Sequence, residues 1–580
     1  MSQNSQNIIC QNCKNDFGIT PDDFPFYKKI GVDLPTFCPA CRIQRRFASR
    51  NERFLYKRNC DLCEKNTITI YHSDEDMVVY CNDCWWSDGW DPSSFSRDYD
   101  FTRNFFEQYS EWKKTVPHEA LYQSNFVNSD YANFGFNFKS CYLVSGGWDN
   151  ERVYFATQVS NTTDSYDILF GTKLELCYNS VQCARSSSLR FCLACEDSSD
   201  LYLSIDCRGC VSCVGCVGLR NKMYCIFNKQ YSKEDYERIV SGLDLGSYRT
   251  FLDLEQKLKD LYLSLPLRFA RFKNTVDCTG DNISDSKNAK NCFSVSGVEN
   301  VKNGLFLEKQ KDSMDTSYIG KGGEEIYEVI SSFGGSRQVV GVRTLFCCDS
   351  FYSEDCHNCN DIFACIGLKK KSYAVFNKEY SKEEYEKIRD EIIRQMKDMP
   401  YIDKVGRSYT FGDFWPIELE SFCYNETKAQ EHFSLTKSEA LNNGYRWRDK
   451  ESSNYVVTVE GENLPDSVNG IDDSMTEAVI GCLHKNTCNH NCTHAFRVLK
   501  TELEFYKRMN LPLPRLCPNC RHANRITKAS PFELHQRKCM CDKETHSHGE
   551  KHCEIEFETS YSLDSPEIVY CEKCYQQEVY

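Results

Sequence analysis

The sequence predicts a mainly β, multidomain protein in which duplicated zinc-ribbon modules at both ends flank a duplicated middle. That middle is predicted to be parallel β-helix-like, a solenoid with short helices. Three observations predict this fold class. Paired cysteines recur at both ends, with the same spacing from Cys13 to Cys38 as from Cys492 to Cys517. A long motif of the middle occurs twice, and short runs of β-forming residues fill the rest of each middle unit.

These repeats divide the chain into six predicted segments. They are a double zinc-ribbon module over 1–92, an aromatic helical linker over 93–122, a first β-solenoid unit with closing helices over 123–265, a second unit with a closing helix over 266–400, a connector over 401–475 and a degenerate copy of the zinc-ribbon module over 476–580. The two copies of the zinc-ribbon module are called the front module and the back module.

Composition bounds the class of protein. Hydrophobic residues at 41% and aromatic residues at 13% are enough for packed cores, whereas the net charge of −14 argues against a general nucleic-acid coat. No stretch approaches the apolar length of a membrane span, and the polar start MSQNSQN lacks the features of a signal peptide. We therefore expect no membrane association and a cytoplasmic location, or an intracellular or virion location in an unknown host. In a reducing compartment, 36 cysteines grouped largely as Cys-x2-Cys indicate metal-bound thiolates rather than disulfides.

Four cysteine pairs define the front module. A Cys-x2-Cys turn points two sulfurs at one ion, and a tetrahedral zinc ion takes two such turns. Sequential pairing predicts two zinc sites, with cross-braced pairing as the alternative; a β-hairpin predicted between Thr67 and Tyr80 favours the sequential arrangement. The predicted zinc ligands of the front module are Cys10, Cys13, Cys38, Cys41, Cys60, Cys63, Cys81 and Cys84.

The back module keeps this pattern in eroded form. Phe505-Tyr506-Lys507 corresponds to Phe26-Tyr27-Lys28, and Val569-Tyr570 corresponds to Val79-Tyr80. Its first cysteine pair is one residue longer and its third has shrunk to Cys-x-Cys, so the ligand set stays open to nearby residues. The predicted ligands are Cys488, Cys492, Cys517, Cys520, Cys539, Cys541, Cys571 and Cys574, and the open substitutes are Cys482, His484, His546, His548, His552 and Cys553. The two modules together predict three to four zinc ions.

A basic segment lies between Cys41 and Cys60 of the front module. On a helix its cations would form one stripe, beside an anchoring face of Ile43, Phe47 and Phe54. Such a stripe suits contact with nucleic-acid phosphates; arginines paired with the protein's own acidic residues are the alternative. The candidate nucleic-acid contacts are Arg42, Arg46, Arg50, Arg53 and Lys57.

The middle of the chain carries a second duplication. The motif from Cys216 to Tyr236 recurs from Cys365 to Tyr385, and each copy ends in a helix whose predicted cap is Ser232 or Ser381. Between these motifs, runs such as KSCYLV and LRFCLAC are punctuated by Asn, Asp, Ser or Gly at irregular intervals. Such runs are typical of the stacked coils of a parallel β-helix, and an antiparallel β-sandwich is the competing interpretation.

The run from Cys207 to Cys216, with a cysteine at every third position, has two interpretations. Its spacing is similar to that of iron–sulfur ligands, but the wider last gap and the following proline of such motifs are missing. We favour buried core thiols over a metal site.

Three stretches carry a resemblance to known proteins: CPACRIQRRFASRNERFLYKRNC, VYCNDCWWSDGWD and CVGLRNKMYCIFNKQYSKEDY. They resemble a group of uncharacterised cysteine-rich zinc-ribbon proteins that are abundant in candidate-phyla bacteria. The resemblance covers most of residues 1–400 and implies no activity, because none is assigned to that group.

The sequence favours a zinc-stabilised structural or interaction scaffold that is not an enzyme. We expect it to bind a macromolecular partner, a protein in the first instance, through the solenoid flank and the ribbons. The alternatives are a nucleic-acid-binding protein that uses the basic stripe, and a β-helix carbohydrate-active enzyme. For the enzyme, Asp164/Asp167 and Asp312/Asp315 are the acid/base candidates, although no HExxH, GxSxG or phosphate-loop motif occurs.

Overall fold

A computed structural model describes residues 5–449, 455–549 and 551–579. Within these ranges the chain is mainly β, and its two largest sheets are parallel, called here the first ladder and the second ladder. The outer limits of the predicted end modules, residues 1 and 580, lie outside the described ranges, as does part of the predicted connector. Among the described helices, none has the length and apolar character needed to cross a membrane.

The first ladder is built from strands that pair in parallel with the chain twelve residues further on, as Phe136 pairs with Trp148 and Trp148 with Ser160. A final short strand pairs antiparallel and closes the sheet. Its strands are Gln123–Ser124, Asn133–Lys139, Ser145–Tyr154, Thr157–Ser160, Thr163–Glu175, Tyr178–Val181, Ala184–Arg190, Ser199–Tyr202, Val211–Val214, Met223–Ile226 and Lys229–Gln230.

The second ladder repeats this plan. Its register also advances by twelve residues over most of its length. The exceptions are an eleven-residue step where Phe272 pairs with Ile283 and a thirteen-residue step where Gln310 pairs with Gly323. Its strands are Phe272–Val276, Gly280–Lys290, Cys292–Ser296, Glu299–Lys302, Leu305–Glu308, Gln310–Ile319, Gly323–Ile330, Ser336–Val342, Cys348–Glu354, Asn360–Phe363, Ser372–Val375 and Lys378–Glu379.

A left-handed residue at every third position turns the chain in both ladders. In the first ladder one run of such residues is Asp197, Asp200, Leu203, Asp206 and Gly209, all with positive φ. Asn, Asp and Gly tolerate this backbone region best, which explains the polar punctuation of the β-forming runs. The repeat that looks irregular in the sequence is therefore regular, because its period is set by these corners and not by the lengths of the apolar runs.

Serine and cysteine side chains occupy buried positions of the ladders and are interchangeable there. Ser165 Oγ donates to the carbonyl two residues before it (2.7 Å) and accepts from the N–H of Cys177 (3.0 Å). Cys183 Sγ makes the same two contacts, at 3.4 Å each, the second with the N–H of Cys195. Such a position thus needs a small side chain that both donates and accepts, and this need accounts for cysteines far from the end modules.

The cysteines of the run from Cys207 to Cys216 occupy buried positions of the same kind. All four sulfurs are 0% exposed, and each donates to the carbonyl two residues before it at 3.4–3.6 Å. These contacts favour protonated core thiols over metal ligands.

Helices follow the last strand of each ladder and also form part of the end modules. Ser381 accepts from the N–H of Glu384 and forms a full capping box, and Ser232 accepts from the N–H of Asp235, as predicted. The α-helices are Phe24–Ile30, Pro39–Ala48, Asn82–Trp85, Phe105–Lys113, Lys233–Ser241, Tyr248–Ser264, Lys382–Asp398, Lys428–His432, Lys437–Asn442, Lys500–Met509, Pro518–Lys528 and Glu572–Val579. Short 3-10 helices span Pro92–Phe95, Ile417–Leu419, Tyr424–Glu426, Gly461–Asn463 and Asp473–Thr476.

The predicted hairpin between Thr67 and Tyr80 is wrong. Asn66–Thr69 instead pairs antiparallel with Tyr56–Asn59, because the Cys60–Cys63 turn joins those two strands directly. The other antiparallel pairs outside the ladders are Gln6–Ile9 with Asp16–Ile19, Tyr401–Ile402 with Ser408–Tyr409, Ile480–Gly481 with Ala495–Phe496, and His535–Lys538 with Glu556–Thr559; Val459–Glu460 adds in parallel to Ile480–Gly481.

Two short parallel pairings tie the modules to the starts of the ladders. Val79–Tyr80 of the front module pairs with His118–Glu119, just before the first ladder. Val569–Tyr570 of the back module pairs with Leu267–Arg268, just before the second. The Val-Tyr sequence shared by the two modules therefore forms the same parallel strand pairing in both.

Candidate metal centres and the cleft between the ladders

The front module brings its eight predicted ligands together in two groups of four thiols. They are Cys10/Cys13/Cys38/Cys41 and Cys60/Cys63/Cys81/Cys84, and within each group all four sulfurs lie within 4.8 Å of one another. Sequential pairing is thus the arrangement that the fold adopts. In each group the chain supplies two ligands from each of two tight turns, which is the geometry of a closed structural metal site.

Sulfur–sulfur distances distinguish metal ligation from disulfides. Cys13 and Cys38 are 3.7 Å apart and Cys63 and Cys81 are 3.8 Å apart, and none of the described cysteines forms a disulfide. Four sulfurs on a tetrahedron with metal–sulfur bonds of ~2.3 Å are about 3.8 Å from each other, whereas a disulfide bond is ~2.05 Å long. The four-thiol groups are therefore compatible with zinc or a similar metal.

The back module also forms two four-thiol groups, but with two changed members. They are Cys482/Cys492/Cys517/Cys520 and Cys539/Cys553/Cys571/Cys574. Cys492 and Cys517 are 3.9 Å apart, as are Cys553 and Cys571. Cys482 and Cys553, which the sequence leaves as open substitutes, take the places predicted for Cys488 and Cys541.

A shared backbone contact establishes these correspondences. In every group the first cysteine of the second turn donates its N–H to the sulfur of the first cysteine of the first turn. The four contacts are Cys38 to Cys10 at 3.2 Å, Cys81 to Cys60 at 3.2 Å, Cys517 to Cys482 at 3.3 Å and Cys571 to Cys539 at 3.2 Å. Such a donor stabilises the thiolate form of the ligand.

Cys488 and Cys541 lie outside the two four-thiol groups because the back module has long insertions within its first turns. Nine residues separate Cys482 from Cys492, where two separate Cys10 from Cys13, so the sequence places the pair at the wrong cysteine.

Both displaced cysteines lie next to histidines. Cys488 forms a second group with His484, His490 and Cys520. Cys541 Sγ lies 3.1 Å from Nδ1 of His546 and 3.4 Å from Nε2 of His548. The remaining open substitute, His552, instead contacts Asp542 at 2.5 Å.

Three of the five residues of the predicted basic stripe are buried, so the prediction that they contact nucleic acid is corrected for these three. Arg42, Arg46 and Arg50 are 2%, 0% and 4% exposed. Arg42 and Arg46 lie on the helix Pro39–Ala48, which packs against the second ladder, and Arg50 follows the end of that helix. Arg42 pairs with Asp315 at 2.9 Å, and Arg46 pairs with Glu328 at 2.7 Å. For these three residues the alternative interpretation holds, namely that the arginines pair with the protein's own acidic residues.

The stripe does not continue as a helix, because Arg50, Arg53 and Lys57 all follow the end of Pro39–Ala48. Arg53 is half-buried and reaches toward Thr157 of the first ladder and Asn519 of the back module, at 3.4 Å each. Lys57 lies on the strand Tyr56–Asn59 and is exposed.

The back module contacts the first ladder through equivalent arginines. Arg525 and Arg521 follow Cys520 at the positions where Arg46 and Arg42 follow Cys41. Arg525 Nη1 lies 2.5 Å from Asp167, and Arg521 reaches Asp167 at 3.5 Å and Glu502 at 2.9 Å. Each module therefore clamps one ladder through buried ion pairs and joins the start of the other through a strand.

Aromatic contacts reinforce both clamps. Tyr27 packs against Tyr327 with ring centroids 5.8 Å apart, and Phe505 stacks on Tyr166 at 4.1 Å. The Phe and Tyr residues of the Phe-Tyr-Lys sequence that both modules share therefore contact a ladder in each case.

A cleft of about 350 Å³ lies where the two ladders face each other. One wall is a column of residues at equivalent positions of successive strands, Ser124, Phe136, Trp148, Ser160 and Thr172. The facing wall holds Phe306, Phe333, Leu345 and His357. Phe170 and Phe306 stack across the cleft at 4.7 Å, and Phe136 meets Phe333 at 5.2 Å.

Close contact between strands forms the floor of the cleft. Gly147 has φ of +122°, and a Cβ there would lie 1.7 Å from the carbonyl oxygen of Val159, so only glycine fits.

Both arginines that line the cleft are already paired with acidic residues, whereas the carboxylate of Glu308 is 41% exposed. Arg50 bonds Glu52 at 2.5 Å and is sandwiched between Phe134 and Tyr318, each ring centroid 4.2 Å from its guanidinium carbon. Arg343 pairs with Asp355 at 2.6 Å.

A buried carboxyl group completes the polar lining. Burial, and then the nearby Asp355, raise the pKa of Glu119 well above its ordinary range. Its Oε1 accepts from Trp86 Nε1 at 2.9 Å and from Asn82 Nδ2 at 3.1 Å. The cleft therefore offers mainly aromatic faces and uncharged polar groups.

The acidic pairs proposed for catalysis do not line this cleft. Asp164 is held by Arg152 at 2.7 Å and Asp312 accepts from Asn300 at 2.9 Å, while Asp167 and Asp315 are buried under the module arginines. Their roles in the structure are turns and clamps.

Comparison of the chain with protein-family models and with curated proteins returned no match.

Proposed function

We propose that this protein is a zinc-braced binding scaffold. In this proposal the two ladders are β-solenoids, the end modules hold four structural zinc ions in tetrathiolate sites, and each module spans both solenoids. The cleft between the solenoids is the binding site. The crosswise attachment of the modules supports this role, because it fixes the distance between two walls that would otherwise be joined only by helices and loops.

The observation that carries the proposal is the aromatic cleft itself. Its wall repeats once per strand, at a spacing of about 4.8 Å, which suits a linear polymer lying along the ladders. Exposed Trp148 offers a ring face, while Ser160 and Thr172 offer hydroxyl groups. Because Arg50 and Arg343 are already neutralised, the cleft favours an uncharged partner over a phosphate backbone. We infer that the partner is a neutral glycan chain.

Binding to a panel of neutral linear oligosaccharides tests this proposal. We expect the metal-saturated chain to bind at least one member, and Trp148→Ala to weaken that binding about tenfold, the loss expected for one aromatic stacking contact of ~1.4 kcal/mol. Tyr455→Ala removes an aromatic side chain that is 66% exposed and lies outside the cleft, so it should leave the affinity unchanged.

The alternatives predict different outcomes in the same assay. No binding to any oligosaccharide, or equal binding by Trp148→Ala, would refute the glycan proposal. Salt-dependent binding of single-stranded RNA or DNA that is lost in Lys57→Glu would support the nucleic-acid alternative instead. Cleavage of a bound oligosaccharide would support the carbohydrate-active enzyme.

A further inference from the structure

The long first turn of the back module carries three additional metal-binding side chains. Between Cys482 and Cys492 the chain places His484, Cys488 and His490, whereas the equivalent turn of the front module holds only Gln11 and Asn12. An insertion with this composition suits zinc, which binds imidazole nitrogen and thiolate sulfur.

These side chains converge on a sulfur of the neighbouring four-thiol group. One ligand atom from each of His484, Cys488, His490 and Cys520 lies within 4.8 Å of the others. Cys488 Sγ and Cys520 Sγ are 3.7 Å apart, the same separation as between Cys13 and Cys38 in the front module. Cys520 is thus a member of two groups of four.

The histidines have nitrogen atoms without partners. Among the described residues, Nδ1 of His484 and Nδ1 of His490 are buried and make no hydrogen bond. The two rings lie 5.5 Å apart at an angle of 60°. Leaving a buried polar atom unsatisfied costs ~1–3 kcal/mol, and a metal ion would satisfy both atoms at once.

The front module shows what occupies this place when the insertion is missing. The sulfur of Cys41, which corresponds to Cys520, accepts from Nδ2 of Asn12 at 3.3 Å. A hydrogen-bond donor therefore satisfies that sulfur in the front module.

We propose that the back module holds a pair of zinc ions bridged by the thiolate of Cys520. Two tetrahedra that share one corner need seven ligands. The first ion takes Cys482, Cys492, Cys517 and Cys520, and the second takes His484, Cys488, His490 and Cys520.

The charges of this pair balance better than those of a single ion. One zinc ion with four thiolates has a net charge of −2. Adding a second zinc ion, the Cys488 thiolate and two neutral imidazoles changes the net charge to −1, with the Cys488 proton released to solvent. Because His484, Cys488 and His490 are only half-buried, the second ion is the more accessible one and should leave first under a chelator.

Native mass spectrometry of the full chain tests the pair. We expect His484→Gln/His490→Gln and Cys488→Ser each to hold one zinc ion fewer than the wild type, and the wild type to lose one ion at a lower chelator concentration than the rest. His494→Asn is the matched control, since His494 is an exposed histidine near the same turn and outside both groups. It should hold the wild-type number of ions.

Cadmium-113 NMR gives a second readout that loss of folding cannot imitate. In the cadmium-loaded chain, two resonances should show a scalar coupling through the shared sulfur, and the coupling should vanish in Cys488→Ser while the uncoupled resonances remain. An unchanged metal count in both variants, or a wild-type spectrum without a coupled pair, would overturn the proposal. Either result would leave the glycan proposal standing, since that proposal depends on the cleft.

Discussion

Removal of the Glu328 charge is the sharpest perturbation of the clamp between the front module and the second ladder. The carboxylate lies 2.7 Å from Arg46 Nη1, 3.4 Å from Arg45 Nη2 and 3.8 Å from Arg42 Nε, and all four side chains are at most 3% exposed. Glu328→Gln keeps the shape of the side chain and changes only its charge. In the wild type, the carboxylates of Glu328 and Asp315 lie beside three guanidinium groups. In the variant, the carboxylate of Asp315 remains and that of Glu328 is lost.

The expected cost follows from what remains buried. The substitution costs free energy because the buried guanidinium groups of Arg46, Arg45 and Arg42 lose the negative charge of Glu328. Breaking a buried pair in this way typically costs about 3–5 kcal/mol, and we expect Glu328→Gln to fall in that range.

Urea unfolding in metal-saturated buffer, followed by tryptophan fluorescence, measures this cost. Arg337→Met is the control, since Arg337 pairs with Asp349 on the same ladder but is 58% exposed, and an exposed pair contributes at most about 1 kcal/mol. A loss below about 1 kcal/mol for Glu328→Gln, or equal losses for the two variants, would refute the reasoning that buried charge balance holds the clamp together.

Three further substitutions test separate parts of the fold. Gly147→Ala should prevent close packing of neighbouring strands, because its Cβ would lie 1.7 Å from the carbonyl oxygen of Val159; soluble yield and thermal melting should both fall, and a wild-type melting temperature would contradict the geometry. Ser381→Ala removes the cap of the helix Lys382–Asp398 and should lower the unfolding free energy by about 1 kcal/mol in urea titrations, with an unchanged value counting against the capping box. Burial lowers the pKa of His432 to about 3, so below pH 6.5 the unfolded chain takes up a proton that the folded chain does not. Stability from this group is therefore complete above pH 6.5 and falls by about 1.4 kcal/mol per unit as pH decreases toward 3; His432→Phe should have a shallower acid dependence, and parallel curves would exclude the effect.

The parts that the sequence could predict are those that depend on neighbouring residues. A Cys-x2-Cys turn positions its two sulfurs by itself, so Cys10, Cys13, Cys60 and Cys63 could be assigned from spacing. The cap at Ser381 is likewise local.

Other features depend on contacts between distant parts of the chain. A helical pattern could show that Arg42 and Arg46 share a face, but it could not show which residues that face meets. Their acidic partners lie on the second ladder, more than 270 positions away in the sequence, so burial and exposure looked equally compatible with the pattern.

The grouping of the back-module cysteines could not be predicted in full for a related reason. Spacing alone assigns the nearest cysteine, Cys488, as the partner of Cys492. In the structure the partner is Cys482, which lies on the far side of an inserted loop. The three-residue period of left-handed corners was present in the sequence, for example at Asp197, Asp200 and Asp206. This period was not evident, because some of the left-handed positions hold residues such as Leu203 instead of Asn, Asp or Gly.

Hydrogen exchange of the full chain, measured by mass spectrometry with metal bound and after chelation under reducing conditions, tests most directly whether the metal modules brace the ladders. We expect metal removal to lower protection in both modules and in the strands that they clamp, Gln310–Ile319 and Gly323–Ile330 in the second ladder and Thr163–Glu175 in the first. Ladder strands that keep their full protection after all metal has been removed would contradict this expectation.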